Sequence, residues 1–272
     1  MTFDRSTISS RLVAFWKEQS DVPVADARIG LGYTAVLLAS GELGLAYTFR
    51  DEEKTCCTVF RGPRPLAGRP AGELLPLLES ESPLEAGVGL ACANALAARR
   101  RALAPQNDGQ RLHGGDVLEE IDVQPEDQVA MVGHFEPLVE GLRRRARSLT
   151  VFERLSEPEG DLRPVKEASA ILPSCQVALI TSTSIINHSF DDLIRACSGC
   201  REVVLLGPST PLLPEVFLGT AVTLLSGVQV VQAARVLQAV SEGGGMSEFR
   251  PHVRKVNIRL ERSLDGRTEG RR

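Results

Sequence analysis

Imidazole, carboxylate and hydroxyl groups recur in this chain where an apolar run stops. His134 and Glu136 lie in Gly133-His134-Phe135-Glu136-Pro137, directly after Val129-Ala130-Met131-Val132, and Glu153 ends the apolar stretch 149–152. Thr181, Thr183 and Asn187 follow Val177-Ala178-Leu179-Ile180, and Gly207-Pro208-Ser209-Thr210 follows Val203-Val204-Leu205-Leu206. Short apolar runs of this kind suit strands covered on both faces. If those strands run parallel in one sheet, their polar carboxyl ends meet at one edge. Ligands bind at that edge in open α/β sheets.

Several chemistries fit these residue types. Imidazole and carboxylate suit divalent metals, which makes His134 and Glu153 the metal candidates, although no ligand pair has motif spacing. Either residue could instead act as a general base in an enzyme handling a small metabolite. Thr181, Thr183, Asn187, Ser209 and Thr210 are neutral hydrogen-bonding groups able to orient a polar or anionic ligand. Backbone amides around Gly207-Pro208-Ser209, and a helix start at Ser189, favour an anion. Glu153 would repel that anion unless a metal, a protonated group or a ribose hydroxyl lay between. The expected ligand therefore has an anionic end toward Ser209 and a cationic or donor end toward Glu153.

Glu153 follows Gly133 by 20 positions, the offset at which an acid often takes a ribose hydroxyl. The loop between them nevertheless lacks G-x-G-x-x-G, and Phe135 and Glu136 would obstruct a pyrophosphate by bulk and charge. No Walker lysine or nucleophile elbow is present. A dinucleotide is disfavoured, whereas a nucleoside-like ligand stays open.

Composition narrows the class. The chain has 272 residues, 43% hydrophobic and 24% charged, which suits one large or two ordinary globular domains. Aromatic content of 4% and a formal net charge of −4 argue against a nucleic-acid surface. No basic segment followed by an apolar run opens the chain, and no apolar run approaches membrane-spanning length. A soluble cytoplasmic protein is expected. The cysteines are Cys56, Cys57, Cys92, Cys175, Cys197 and Cys200. The one C-x-x-C, Cys197-Ser198-Gly199-Cys200, falls where a helix should end, so buried reduced thiols beside a glycine cap are expected.

The elements that must position these groups divide the chain. In the first part we expect an amphipathic helix over 1–19, strands over 27–39 and 43–50, and a third over 55–60. A short helix over 71–78 and a long one over 83–104, capped by Ser82, complete it. Asn94 is the neutral polar side chain of the long helix. From 127 onward strands and helices alternate, with strands ending at Gly133, Glu153, Thr181 and Gly207. Further strands are expected over 221–225 and 253–260, the last at the sheet edge, with a loop over 157–164. The pattern implies a Rossmann-like parallel sheet. The boundaries expected are 1–115, 116–262 and a flexible tail over 263–272.

The blocks ITSTSIIN and GPSTPLLPEVF, then Ser226-Gly227-Val228 and SEGGG in this order, resemble the heavy-metal-chelation domain family. GHFEP, the Glu153 strand end and the helix segment around Asn94 fit the same pattern, and the resemblance covers most of residues 10–260. It implies an α/β architecture with an enolase-N-terminal-like α+β domain before the Rossmann-like one. It also implies an interdomain cleft for a divalent heavy metal or a metal-bearing small molecule. The ligand candidates are then Asn94, Gly133, His134, Phe135, Glu153, Thr181, Thr183, Asn187, Gly207, Pro208, Ser209 and Thr210. The partner expected is a small anionic or metal-bearing ligand, not nucleic acid or a membrane, and a homodimer is left open. The chain departs from the family at Gln176, where an Asp usually enters the strand.

Overall fold

The computed structural model describes residues 6–18, 20–49, 59–104 and 112–260. Helix α1 spans Ile8–Phe15 and starts at Thr7, whose hydroxyl accepts the N–H of Ser10. Strands β1 (Val24–Ile29), β2 (Tyr33–Leu38) and β3 (Leu43–Tyr47) form an antiparallel meander. The expected strand over 27–39 is thus two strands. Gly30-Leu31-Gly32 turns the chain, and the N–H of Gly30 bonds the carbonyl of Tyr33 at 2.9 Å. Val59 and Phe60 are not in a strand, and 55–58, with Cys56 and Cys57, lie outside the described residues.

The expected helix over 71–78 is two 3-10 segments, Ala71–Glu73 and Leu75–Glu79. Helix α2, Pro83–Leu103, then runs through the middle of the molecule with most of its first four turns buried. Ser82 precedes it, but its side chain makes no cap bond; Ser80 instead hydrogen-bonds Glu85 at 2.6 Å. Strand β3 crosses α2 at Gly44, where a Cβ would lie 2.1 Å from the carbonyl oxygen of Ala91. Only glycine fits there.

The second part is built on β4 (His113–Gly114), β5 (Gln128–Val132), β6 (Ser148–Glu153), β7 (Leu162–Pro164), β8 (Val177–Thr181), β9 (Glu202–Leu206), β10 (Leu224–Val230) and β11 (Val253–Arg259). The helices are α3 (Val117–Glu120), α4 (Glu136–Arg145), α5 (Ala168–Ile171), α6 (Thr183–Ile186), α7 (Phe190–Ala196), α8 (Ala233–Ser241) and α9 (Met246–Phe249). The sheet order is β4-β11-β10-β9-β8-β5-β6-β7, with β11 running antiparallel to both its neighbours and the other strands all pointing the same way. β7 occupies the stretch expected to be a loop. β10 begins three residues later than expected and runs on to Val230, and β4 lies outside β11, so β11 is not the edge.

Strand faces alternate as a pleated sheet requires. Ala130, Val132, Ala178, Ile180, Val203 and Leu205 share one apolar cluster with α1 and α2, while Val129, Met131, Val177, Leu179, Val204 and Leu206 pack with α3 and α4. The first cluster crosses from one part of the chain to the other, so the two share a core. Polar stitches reinforce it. Asp191 accepts the N–H of Ile8 at 3.1 Å, Arg28 reaches the hydroxyl of Ser241 at 2.9 Å, and His188 meets the carbonyl of Ser80 at 2.8 Å. The side-chain oxygen of Gln176 accepts the N–H of Gln128 at 2.9 Å, which ties the residue before β8 to the first residue of β5.

Candidate functional site

The chain leaves β5 for β6 and β7 on one side, then returns to β8, β9 and β10 on the other. The direction of winding therefore reverses between β5 and β8, and the crevice outside their carboxyl ends is where such sheets bind ligands. Gly133 ends β5 with φ 89° and Gly207 ends β9 with φ 118°, both in the left-handed region that favours glycine. A Cβ on Gly133 would lie 2.9 Å from Cβ of Thr181 and 3.3 Å from the Phe135 ring. One on Gly207 would lie 3.1 Å from Oγ of Ser182 and 3.9 Å from the same ring. Gly133, Phe135, Thr181, Ser182 and Gly207 thus converge. Ser182 is 1% exposed, and its buried hydroxyl has no hydrogen-bond partner.

The hydroxyls of Thr181 and Thr183 bond each other at 3.0 Å beside this point. Asn187 stands apart: its side-chain oxygen accepts the N–H and hydroxyl of Ser189 in an exposed turn. The helix expected to start at Ser189 is α7, with Ser189 in the cap position but making no cap bond, and a separate turn of helix, α6, precedes it across a break. His188 bridges the break with φ 57°.

Three expected ligand groups are taken up by internal hydrogen bonds, and two of them, Ser209 and Asn94, bond across the join between the two parts. Ser209 is 1% exposed and its hydroxyl accepts the N–H of Tyr47 at 2.8 Å. Thr210 donates to the carbonyl of Ser226 at 3.0 Å. Asn94 donates to the carbonyls of Leu45 at 2.8 Å and Ser209 at 3.1 Å. Pro208 lines a small cavity beside Asn94. The hydroxyls of Ser209 and Thr210 are therefore built into the fold, and the sequence had no means of distinguishing them from the crevice hydroxyls.

Glu153 shapes the loops at the end of β6. Its two oxygens accept the N–H groups of His134 at 3.0 Å and Arg154 at 2.8 Å. His134 is partly exposed, and its Nε2 lies 2.8 Å from the exposed carboxylate of Glu136. Glu153 thus uses both its oxygens, and His134 its Nε2, within the protein. Among the described residues no group of three or more His, Cys, Asp and Glu side chains is arranged to hold a metal ion. Cys92, Cys175, Cys197 and Cys200 are buried thiols that form no disulfide. Burial pushes the Cys92 thiol up to about 12, and a hydrogen bond with Cys200, then burial, pushes that of Cys197 up. Gly199 sits in a 3-10 turn without positive φ, so the expected glycine cap is absent there. The described thiols and carboxylates do not fit a bare metal ion.

Sequence reasoning passed over the rim. The guanidinium of Arg154 stacks 5.0 Å above the ring of Phe49, and among the described residues no carboxylate pairs with it. Tyr47 is anchored at the end of β9 through Ser209, while Phe49 meets Arg154 after β6. Residues 47–49 therefore cross the ends of β8 and β5, which lie between. The signal for Arg154 was its position next to Glu153; for Phe49 there was none.

Two family models match the chain, over residues 15–97 and 116–259, and both carry the description "Putative heavy-metal chelation". The second alone covers more than half of the sequence. The chain belongs to this heavy-metal-chelation family. An uncharacterised protein of Methanocaldococcus jannaschii is 24% identical over 256 residues, covering 90% of this chain and 93% of its own. A solved protein of unknown function from the same family, from Pyrococcus horikoshii, superposes with a TM-score of 0.80 at 24% identity, over 93% of this chain and all of the other. A second, from Desulfitobacterium hafniense, gives 0.77 at 24% identity, over 93% of this chain and 96% of its own. At these identities the likeness concerns the fold. No helix among the described residues is long and apolar enough to cross a membrane.

Proposed function

We propose that this family member binds a small anionic molecule, or a heavy metal already carried in an anionic complex, in the crevice between the ends of β5 and β8. The observation behind this reading is the convergence of two left-handed glycines, the Phe135 ring and the unpartnered Ser182 hydroxyl at the point where the winding reverses. A buried hydroxyl without a partner costs free energy, and a ligand that bonds it recovers that cost. Arg154 at the rim presents a cation that no described carboxylate pairs with, and its planar fork suits a carboxylate or phosphate. It takes the role that Ser209 was expected to fill. Since the described side-chain donors form no chelate, a metal would arrive with its own ligands.

Native mass spectrometry and elemental analysis of the purified protein test this. A stoichiometric organic anion, with any metal in the same complex, is expected in the parent and lost in Arg154→Met. A stoichiometric metal with no accompanying organic mass, retained in that variant, would refute it. The catalytic alternative rests on the His134–Glu136 pair, in which a carboxylate orients an imidazole. Turnover of the co-purified molecule, abolished in His134→Gln, would favour it.

A further inference from the structure

Behind the crevice, where α2, β3 and the loop after β9 meet, lies a cavity of ≈ 20 Å³ lined by Gly44, Asn94, Ala98, Arg101, Pro208 and Thr210, among others. Two buried polar atoms of its lining residues have no partner: Oδ1 of Asn94 and Nε of Arg101. The orientation of the Asn94 amide is determined. Its nitrogen donates to two carbonyls, Leu45 at 2.8 Å and Ser209 at 3.1 Å, and a flipped amide would set oxygen against oxygen at both. Oδ1 is therefore the atom left over, and it can only accept. Arg101 uses another nitrogen on the carbonyl of Leu212, and its Nε–H can only donate. The two residues are seven apart on α2, close to two full turns, so both lie on the helix face toward the cavity.

An acceptor and a donor that fail to meet, beside the same small space, define the chemistry of an occupant. A chloride would suit Arg101 and repel the amide oxygen; a cation would do the reverse. A single group that both donates and accepts satisfies both. The volume exceeds the roughly 10–15 Å³ that one water requires. We propose that one ordered water sits in this cavity, donating to Oδ1 of Asn94 and accepting from Nε–H of Arg101. Asn94 in turn holds the carbonyl of Ser209, whose hydroxyl receives the N–H of Tyr47, so the water completes the network joining the two parts of the chain behind the crevice. This inference does not depend on what the crevice binds.

A crystal structure of the full chain, at a resolution that shows ordered solvent, tests it on the parent protein. One density peak about 2.7–3.2 Å from both atoms is expected. A dry cavity, or a peak touching only one of them, would overturn the proposal. Thermal unfolding of Asn94→Ala, Arg101→Met and the double variant supplies a second arm. Each single variant should lower Tm, and the double variant should lose less than the sum, because either change alone breaks the bridge. Strictly additive losses would count against a shared water.

Discussion

The hydroxyl of Ser209 accepts the backbone N–H of Tyr47 at 2.8 Å, tying the last residue of β3 to the loop after β9. The carbonyl of the same serine is held by Asn94, so the Gly207–Ser209 loop takes its shape from the other part of the chain. Any ligand in the crevice meets a loop that is already braced from behind.

Ser209→Ala should therefore destabilise the fold even without ligand. It leaves a buried N–H without an acceptor, which costs about 1–3 kcal/mol. Urea unfolding should show a lower midpoint with an unchanged slope. A midpoint equal to that of the parent would remove the bracing role.

Gly44→Ala should be far more damaging. The added Cβ would come within 2.1 Å of the Ala91 carbonyl and 2.2 Å of the Ala95 nitrogen, both backbone atoms of α2. Neither can withdraw without breaking the helix ladder. The comparison is Gly32→Ala, whose Cβ would find its nearest neighbour at 3.5 Å. We expect little folded protein from the first and near-parental Tm from the second; equal Tm values would show that α2 and β3 are not locked together at this crossing.

The sheet was legible where burial leaves an unbroken mark. β8 and β9 are apolar from Val177 to Ile180 and from Val203 to Leu206 because both faces are covered, and their bounds differ from expectation by a single residue each, Thr181 and Glu202. β7 carries no such mark: three residues including Pro164 become a strand only by pairing with Val151–Glu153. β10 was expected to stop before Ser226-Gly227, yet pairing with β11 carries it through both residues. The site was legible as a set of strand ends and not as a set of contacts. Ser182 and Ser209 are both hydroxyls just after strands. Which of them faces a ligand depends on the path of Tyr47, 162 residues from Ser209, and local pattern holds no record of that.

Acid should act partly through Asp127. Burial alone would raise its carboxyl, but hydrogen bonds from Arg201 at 2.7 and 3.2 Å and from the N–H of Gln124 at 2.7 Å outweigh that and hold it below the usual carboxylate range. A group depressed in the folded state stabilises fully above its unfolded value, about 3.9, and that contribution fades as pH falls through the folded value. Asp127→Asn should be less stable than the parent at pH 7, with the gap closing at pH values below about 3.9. Urea midpoints across this range check the sign, and a gap that stays constant would show that ionisation of Asp127 is not what stabilises.

Glu153 is where a ligand role and a structural role are most easily confused, and exchange measurements separate them. Its carboxylate accepts two N–H groups, from His134 and Arg154, at the mouth of the crevice. In Glu153→Gln one oxygen remains an acceptor, while the other becomes an NH₂ group facing a donor. At least one of the two bonds must break, and hydrogen bonds to a charged acceptor contribute about 1.5–3 kcal/mol. Amide hydrogen exchange at His134 or Arg154 should therefore accelerate in the ligand-free variant, with the rest of β6 unaffected. If Glu153 mattered only to a ligand, both amides would exchange as in the parent and only binding would suffer. Faster exchange without ligand would show that the carboxylate first builds the loop that carries Arg154, and that any loss of affinity in this variant reaches the ligand through that arginine.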